Sequence, residues 1–553
     1  MKGAEIVLEV LKRENVELMF GYPGATVIPL YDALYRADDA PRHIRTVHEQ
    51  HAVHAADGYA RASGKPGVCL VTSGPGASNT ITGLANAYMD SIPMVVITGQ
   101  VPTSLLGQDA FQELDITGIT FSITKHSYLV RHVDELAQVM TEAFKIACSG
   151  RPGPVLVDIP KDIFLAETRP DWKAIDQIQG EIFDTSLGHE IKEAVQMIKE
   201  SERPIILAGG GVRMSGAEAE LVAFAEKTQI PIANSLMGLA TIDRANPLSI
   251  GMIGMHGHKH GNLAVTQSDL ILAIGTRFSN RVVGKRSSFG KNAKIIHIDL
   301  DPTEFGKVVE HSLAIPGDVK AILTEMTEAV SSAERPVWLQ RIRDWQNGEA
   351  SNREVGFTPK NILRQINQAT DPRATLVTDV GQHQMWTAQY WDFKQSEDFI
   401  TSGGLGTMGF GAGAAIGASM AKPGHPTILI TGDGSFRMST PELLTIARYQ
   451  LPIFIVVMNN RALGMVRQWQ YLFGDERYAE TDTDETMSFE KLAAVYDIPG
   501  ATVSTMEELQ AVMDGRKWEG GPFLMEVRIE KTHQVYPMVS PGKTIDHVIT
   551  EKK

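Results

Sequence analysis

Short, wholly apolar runs ending in glycine or proline alternate along this chain with segments whose apolar residues recur at helical spacing. That alternation predicts parallel strands joined by crossover helices, because a strand buried on both faces has no polar side to show. Three groups of runs stand out. The first holds VCLVTSGPG (68–76), MVVITGQ (94–100) and VLVDIP (155–160). The second holds PIILAGGG (204–211), LILAIGTR (270–277) and IIHIDLDP (295–302). The third holds TLVTDVG (375–381), TILITGDG (427–434), IFIVVMNN (453–460) and FLMEVRI (523–529). Polar stretches near 166–187 and within 331–359, the latter opening as a helix, read as linkers. The expected fold class is α/β, with three doubly wound parallel-sheet domains over 1–166, 188–340 and 358–535 and a tail at 536–553. Residues 1–21 predict an amphipathic helix with Ala4, Val7, Leu8 and Leu11 on one face, followed by a strand. Glu5 and Glu9 inside its apolar part argue against a secretory leader.

A length of 553 residues exceeds what one core supports and agrees with several domains. Hydrophobic residues at 43% and charged residues at 21% are ordinary for a soluble globular protein. The formal charge of −14 argues against nucleic acid or an anionic membrane as a partner, while leaving room for a local phosphate pocket. No segment reaches the ~18 uncharged apolar residues that a membrane span requires. Cys69 and Cys148 read as reduced core residues of a cytoplasmic protein.

One apolar run ends in an aspartate held between two glycines, Gly432-Asp433-Gly434. The following STPELLTIARYQ reads as a helix with a capping Ser or Thr and Pro441 in its first turn. The strand IFIVVM then ends at Asn459 and Asn460. A strand–helix–strand unit makes its strands parallel and usually adjacent, so Asp433 and Asn460 should meet at the carboxyl ends, where open α/β sheets bind ligands. A carboxylate with an amide oxygen is hard-oxygen ligation, suited to magnesium or calcium, and magnesium completes its shell with substrate phosphates. Bare glycine backbone offers N–H groups to those phosphates. The inferred ligand is a metal-bridged diphosphate. A tight turn accounts for Gly-Asp-Gly alone, but not for the paired asparagines ending the next strand. His48, His51 and His54, at spacings of three and six, are expected to spread around a helix as surface or locally hydrogen-bonded residues. GLGTMG (404–409) fits a loose dinucleotide fingerprint, yet its approach EDFITSG is a poor strand and no acidic residue ends a following strand at the right distance.

Gly-Asp-Gly followed after 24 residues by Asn-Asn resembles the diphosphate motif of the thiamine-diphosphate enzymes. The resemblance implies magnesium held by Asp433, Asn460 and the main-chain carbonyl of Ala462. RTVHEQHAVHAADGYARASGKPGVCLVTSGPGASN is similar to the family's glutamate segment and marks Glu49 as the partner of the cofactor's aminopyrimidine ring. FGYPGATVIPLYDAL, DAFQELDITGIT, TKHSYLV, SGRPGPVLVDIPKDI, DVGQHQMWTAQYW, SGGLGTMGFG and GMVRQWQ extend the likeness through all three units, to the catalytic subunits of acetolactate (acetohydroxyacid) synthases.

That family implies, in order, pyrimidine-binding, central FAD-site and diphosphate-binding domains. It implies decarboxylation of pyruvate on thiamine diphosphate and addition of the two-carbon unit to a second 2-oxo acid, pyruvate or 2-oxobutyrate. A pyruvate decarboxylase or pyruvate oxidase on the same fold is the alternative. By resemblance, Gly24 and Gln112 line the reacting carbon, and Met408 lies under the thiazolium ring in the loop of Gly406. Pro75, Val380, Gly381, Gln382, His383, Gly432, Gly434, Ser435, Gly464, Met465 and Val466 surround the cofactor, and Arg281 with Trp469 holds the second substrate. FAD, bound without a redox role, would meet Arg151, Gly209, Gly210, Gly211, Met255, His256, Gly275, Arg277, Asp299 and Asp318. The glutamate and the diphosphate pocket belong to different subunits in that family, which implies a homodimer or homotetramer. A separate small regulatory subunit is a further partner to look for. Three places depart from the family pattern. Ser279 and Asn280 replace two acidic residues before Arg281, which predicts weaker FAD contacts and a looser Arg281. GFGAGAAIG has Ala-Gly where Leu-Pro is common, and MHGHKHGN is unusually rich in histidine.

Overall fold

The computed structural model describes residues 1–178, 180, 188–350, 355–483, 487–515 and 520–551, without the side chain of residue 350. Parts of both expected linkers therefore lie outside the described residues. Within the first linker, Asp171 caps a helical turn, Trp172–Ile175. The second follows the helix Pro336–Ala350.

Three parallel six-stranded sheets follow one another along the chain. The first contains β1 (Leu18–Gly21), β2 (Arg42–Arg45), β3 (Gly67–Val71), β4 (Met94–Gln100), β5 (His126–Leu129) and β6 (Pro154–Pro160), in the order β2-β1-β3-β4-β6-β5. The second contains β7 (Pro204–Ala208), β8 (Ile232–Asn234), β9 (Ser249–Met252), β10 (Leu270–Ile274), β11 (Lys294–Asp299) and β12 (Leu313–Pro316), ordered β12-β11-β10-β7-β8-β9. The third contains β13 (Thr375–Thr378), β14 (Phe399–Thr401), β15 (Thr427–Gly432), β16 (Ile453–Asn459), β17 (Gly500–Val503) and β18 (Phe523–Arg528), ordered β14-β13-β15-β16-β18-β17. Central strands such as β4 and β16 are buried at every residue, in keeping with their mainly apolar sequences. Edge strand β2 is exposed at both arginines. EDFITSG, expected to be a poor strand, supplies the short edge strand β14.

The opening helix Gly3–Arg13 buries Ala4, Val7, Leu8 and Leu11, together with Ile6 and Val10. Among the described residues no helix is long and apolar enough to cross a membrane. Two expectations need correction. Cys148 is exposed near the end of the Leu136–Cys148 helix, and only Cys69 is a core residue. The STPELL segment opens with a single 3₁₀ turn, Thr440–Glu442, and Ser439 does not cap it, because its hydroxyl turns back to the Phe436 carbonyl.

The helices Glu49–Ser63 and Phe410–Ala421 join the first and third units at close range. A Cβ on Gly417 would stand 1.8 Å from the Ala55 carbonyl oxygen, and one on Gly58 would stand 2.2 Å from that of Ala414. Glycine is required here because backbone meets backbone.

Candidate active site

Strands β15 and β16 are hydrogen-bonded neighbours, with Gly432 opposite Met458, so Asp433 and Asn460 emerge side by side. Both line one cavity with Ala462, and that cavity also gathers Val380, Gly381, Gln382, His383, Met408, Gly432, Gly434, Ser435, Gly464, Met465 and Val466. Trp386, Met458 and Leu463 complete its wall and were not foreseen. Met458 and Leu463 flank the paired asparagines and Gly464, and Trp386 lies one helical turn beyond His383. An apolar residue beside a polar motif carries no signal of its own.

Asp433 is buried and accepts a hydrogen bond from the Thr483 hydroxyl at 2.9 Å. Burial pushes its carboxyl up to about 6, against the pull of that bond and of Arg437. Asn460 donates from Nδ2 to Gln382 Oε1 at 3.0 Å, and Gln382 in turn donates to Gln468 Oε1 at 2.9 Å. This relay fixes which end of the Asn460 amide is oxygen, and that oxygen accepts from the Ala462 N–H at 3.2 Å while keeping a second lone pair. Asp379, also unforeseen, accepts from the N–H groups of Val380, Gly409 and Gly411 and so braces the loop that carries Met408.

The cavity suits a metal-bound diphosphate. Its floor is bare backbone: a Cβ on Gly434 would stand 2.6 Å from Leu463, and one on Gly464 would stand 2.1 Å from Gln382 Oε1. Nε2 of His383 is buried without a partner, and burial pushes this imidazole down to about 3, so it stays neutral. A carboxylate, an amide oxygen and unclaimed donors are the set that magnesium and phosphate oxygens need.

A second cluster lies in the first unit. Glu49 opens its helix and accepts from Asn79 Nδ2 at 2.9 Å, with Gly76 against its other oxygen. Gln112, at φ 61°, packs on Gly74, while Gly24 faces Thr72 and Pro75 begins the turn Pro75–Ser78. Glu49, Gln112, Gly24 and Pro75 are not among the residues lining the Asp433 cavity of the same chain, and neither is Gly406.

The Glu49 helix start is nevertheless tied to the third unit. Glu442, fully buried, accepts from the N–H groups of Val47 and His48 at 3.0 and 3.1 Å, from His51 Nδ1 at 3.1 Å and from the Thr445 hydroxyl at 2.6 Å. His51 and His54 are therefore buried, not at the surface. The three histidines run along one side of the helix, with ring centroids 5.6 and 6.3 Å apart, instead of spreading around it.

Arg281 and Trp469, from different units, come together: the guanidinium stands 5.9 Å from the indole centroid. Arg281 also donates to the Met255 sulfur at 2.9 Å. It is thus held despite the exposed Ser279 and Asn280 beside it. Gly209 and Gly211 press against Gly275, where a Cβ on Gly209 would stand 2.1 Å from the Gly275 oxygen, and Gly210 faces Met237. Arg151 pairs with Asp301 and Glu304 at 3.2 and 2.8 Å. Burial, with Arg151 nearby, lowers the half-buried Arg277, and burial pushes Asp299 up to about 6. Asp318 caps the helix Val319–Ala329 and accepts from Ser215. His256 Nδ1 is buried without a partner.

Models of thiamine pyrophosphate enzymes match the chain in three parts: the N-terminal TPP binding domain over residues 1–119, the central domain over 191–326 and the C-terminal TPP binding domain over 379–527. With the diphosphate-type cavity, these define a thiamine pyrophosphate enzyme. The chain is 43% identical to the acetolactate synthase isozyme 2 large subunit of Escherichia coli (strain K12), over 98% of each chain. It is 43% identical to the probable acetolactate synthase large subunit of Methanocaldococcus jannaschii, over 99% of this chain and 95% of that one. It is 41% identical to the acetolactate synthase large subunit of Lactococcus lactis, over 99% and 96%. The chain belongs to the family of acetolactate synthase large subunits.

Proposed function

We propose that this transferase removes carbon dioxide from pyruvate and joins the remaining two-carbon unit to a second 2-oxo acid, pyruvate or 2-oxobutyrate. The observation that carries the reading is the convergence of Asp433 and Asn460 on one glycine-floored cavity in a chain of this family. Thiamine diphosphate, when bound, supplies a nucleophilic carbon and an electron sink. Asp433, Asn460 and the Ala462 carbonyl would hold magnesium, and His383 with the N–H groups around Gly434 would meet the remaining phosphate charge. Glu49 would hold a proton against the aminopyrimidine of the bound cofactor. Because Glu49 lies outside the Asp433 cavity of its own chain, its counterpart is the cavity of a second copy, and a homodimer or homotetramer follows as part of the proposal. Arg281 receives the acceptor carboxylate, and the Trp469 indole face walls the acceptor side chain. The orphaned His256 and the back-to-back Gly209–Gly275 loops favour FAD seated in the central unit without a redox role. The large-subunit relatives favour a small regulatory subunit as partner, and we place the enzyme in the cytoplasm.

The test is product analysis with pyruvate, thiamine diphosphate and magnesium, with and without FAD. Acetolactate as main product supports the reading, whereas acetaldehyde or hydrogen peroxide moves the enzyme to the decarboxylase or oxidase branch. Glu49→Gln should lower turnover by at least about 100-fold while thiamine diphosphate still binds. Full turnover in that variant would remove Glu49 from the chemistry.

A further inference from the structure

The histidine-rich MHGHKHGN segment plays no part in the reaction above beyond Met255 and His256, yet it carries a second cluster of ligating groups. His258 precedes the helix Lys259–Gln267, and His260 lies in its first turn. Glu349 reaches them from the end of the helix Pro336–Ala350. The two imidazoles stack, with centroids 5.1 Å apart and planes at 18°. Nδ1 of His260 stands 2.6 Å from one Glu349 oxygen, and Nδ1 of His258 stands 3.9 Å from the other. Donor atoms of all three residues lie within 4.8 Å of one another.

Proton placement argues for a cation at their centre. His260 Nε2 is 3.0 Å from the Ile250 carbonyl, which can only accept, so Nε2 carries the proton. Such a bond to a backbone carbonyl is how metal-ligating histidines are oriented, with the other nitrogen presented as a lone pair. A proton shared with Glu349 accounts for the His260 Nδ1 contact at 2.6 Å, whereas His258 Nδ1, at 3.9 Å, is beyond hydrogen-bond range of the same carboxylate, and a cation between the three groups would give both nitrogens a partner. Charging both stacked rings beside Arg244 would set like charges in contact. Arg244 meets His258 Nε2 at the long distance of 3.4 Å and is held independently by the Trp391 carbonyl at 2.8 Å. It can therefore release Nε2 to carry a proton when Nδ1 binds a metal.

We propose that His258, His260 and Glu349 form a three-ligand site for a divalent transition metal of the zinc type, which pins the linker helix to the central unit. Bonds of about 2.0 Å at tetrahedral angles set donor atoms about 3.3 Å apart, within reach of these side chains by rotamer adjustment. The residual exposure of these side chains, 14%, 12% and 25%, leaves access for a water as fourth ligand. The alternative is that Glu349 merely accepts from the Lys259 and His260 N–H groups, at 3.2 and 3.1 Å, as a helix-end acceptor.

Full-length protein saturated with thiamine diphosphate and magnesium, so that the Asp433 site is filled, is titrated with zinc against a chromophoric chelator. Its melting temperature is read with and without zinc. One zinc per chain at submicromolar affinity, with a raised melting temperature, is expected. His260→Ala and Glu349→Gln should each weaken binding by at least about 100-fold, more than the loss of an outer-shell partner does. Glu349→Gln keeps an oxygen for only one of the two N–H groups, which Glu349 meets with separate oxygens, so His260→Ala, which leaves both of those bonds in place, keeps the test independent of the helix end. Absence of stoichiometric zinc, equal binding by both variants, or binding lost only in Asp433→Asn would overturn the proposal.

Discussion

Gly417→Ala adds one methyl group where the helices Glu49–Ser63 and Phe410–Ala421 touch. The new Cβ would lie 1.8 Å from the Ala55 oxygen and 2.6 Å from the Tyr59 nitrogen. A carbon needs about 3.3 Å from a carbonyl oxygen, so the helices must part by roughly 1.5 Å at that point. Gly58 against Ala414, where a Cβ would stand 2.2 Å from the oxygen, shows that the contact has no slack one turn away. Overpacking of this kind costs about 1–3 kcal/mol, and the gain in helix propensity returns only about 1. Parting the helices also strips contacts along their length, so the expected net loss is about 2 kcal/mol. For a unit of 150–250 residues that lowers the melting temperature by roughly 4–8 °C. The control is Gly348→Ala, in the helix Pro336–Ala350, where a Cβ meets nothing within 4 Å. It should raise the melting temperature by up to about 3 °C through the same propensity term. Fluorimetric melting of both variants at one scan rate, with and without thiamine diphosphate and magnesium, is the assay, because large chains commonly unfold irreversibly. A Gly417→Ala protein that melts at or above wild type would refute the argument that backbone contact fixes these helices.

Trp469→Leu removes the indole beside Arg281, an interaction worth about 1–2 kcal/mol when desolvated, and should lower acceptor addition relative to carbon dioxide release by roughly 5–30-fold. Equal loss of both would show that the indole does not serve the acceptor. Glu442→Gln can keep one oxygen for the Val47 and His48 N–H groups but turns an amide N–H₂ toward the Thr445 hydroxyl and the second contact of Val47 N–H, so bonds to a charged acceptor are lost at a cost of about 1–3 kcal/mol, and both melting temperature and turnover should fall. Unchanged turnover would remove Glu442 from the positioning of Glu49. Asp158 is buried between the Thr98 hydroxyl and the Gln100 amide, and burial pushes it up from 3.8 to about 7. With a folded pKa above the unfolded one, the folded state holds the proton more tightly, so this group's contribution is full below pH 4 and is lost as pH rises to 7. At about 1.4 kcal/mol per pH unit the loss is at most about 4 kcal/mol. Asp158→Asn should flatten the decline in denaturant midpoint between pH 5 and 8, and an unchanged slope would assign the decline to other groups.

The sequence revealed what depends on local rules and concealed what depends on distant partners. Mainly apolar runs marked β3, β4, β6, β7, β10, β11, β13, β15, β16 and β18, because strands covered on both faces tolerate little polarity. Strands β2, β5, β9, β12, β14 and β17 lie at sheet edges and run only three or four residues, most of them mixing polar with apolar positions, so no period is long enough to register. Asp433 and Asn460 were readable as a pair because a single crossover obliges their strands to be neighbours. Glu442 was invisible: His51, which it anchors, lies 391 residues away, and nothing in STPELL distinguishes a solvated glutamate from a buried one. The same distance explains the misreading of the histidines. Spacing places His51 and His54 on a helix, but their burial follows from Glu442 supplying a carboxylate and Phe410 packing edge-on to His54 at 5.3 Å. Glu442 also bears on the proposed pairing of two copies. The third unit grips the helix that begins at Glu49, yet the Asp433 cavity nine residues before Glu442 does not include Glu49 among its walls. Such a grip fixes the start of the Glu49 helix, and in the proposed pairing of two copies it would present that glutamate already ordered to the cavity of the second copy.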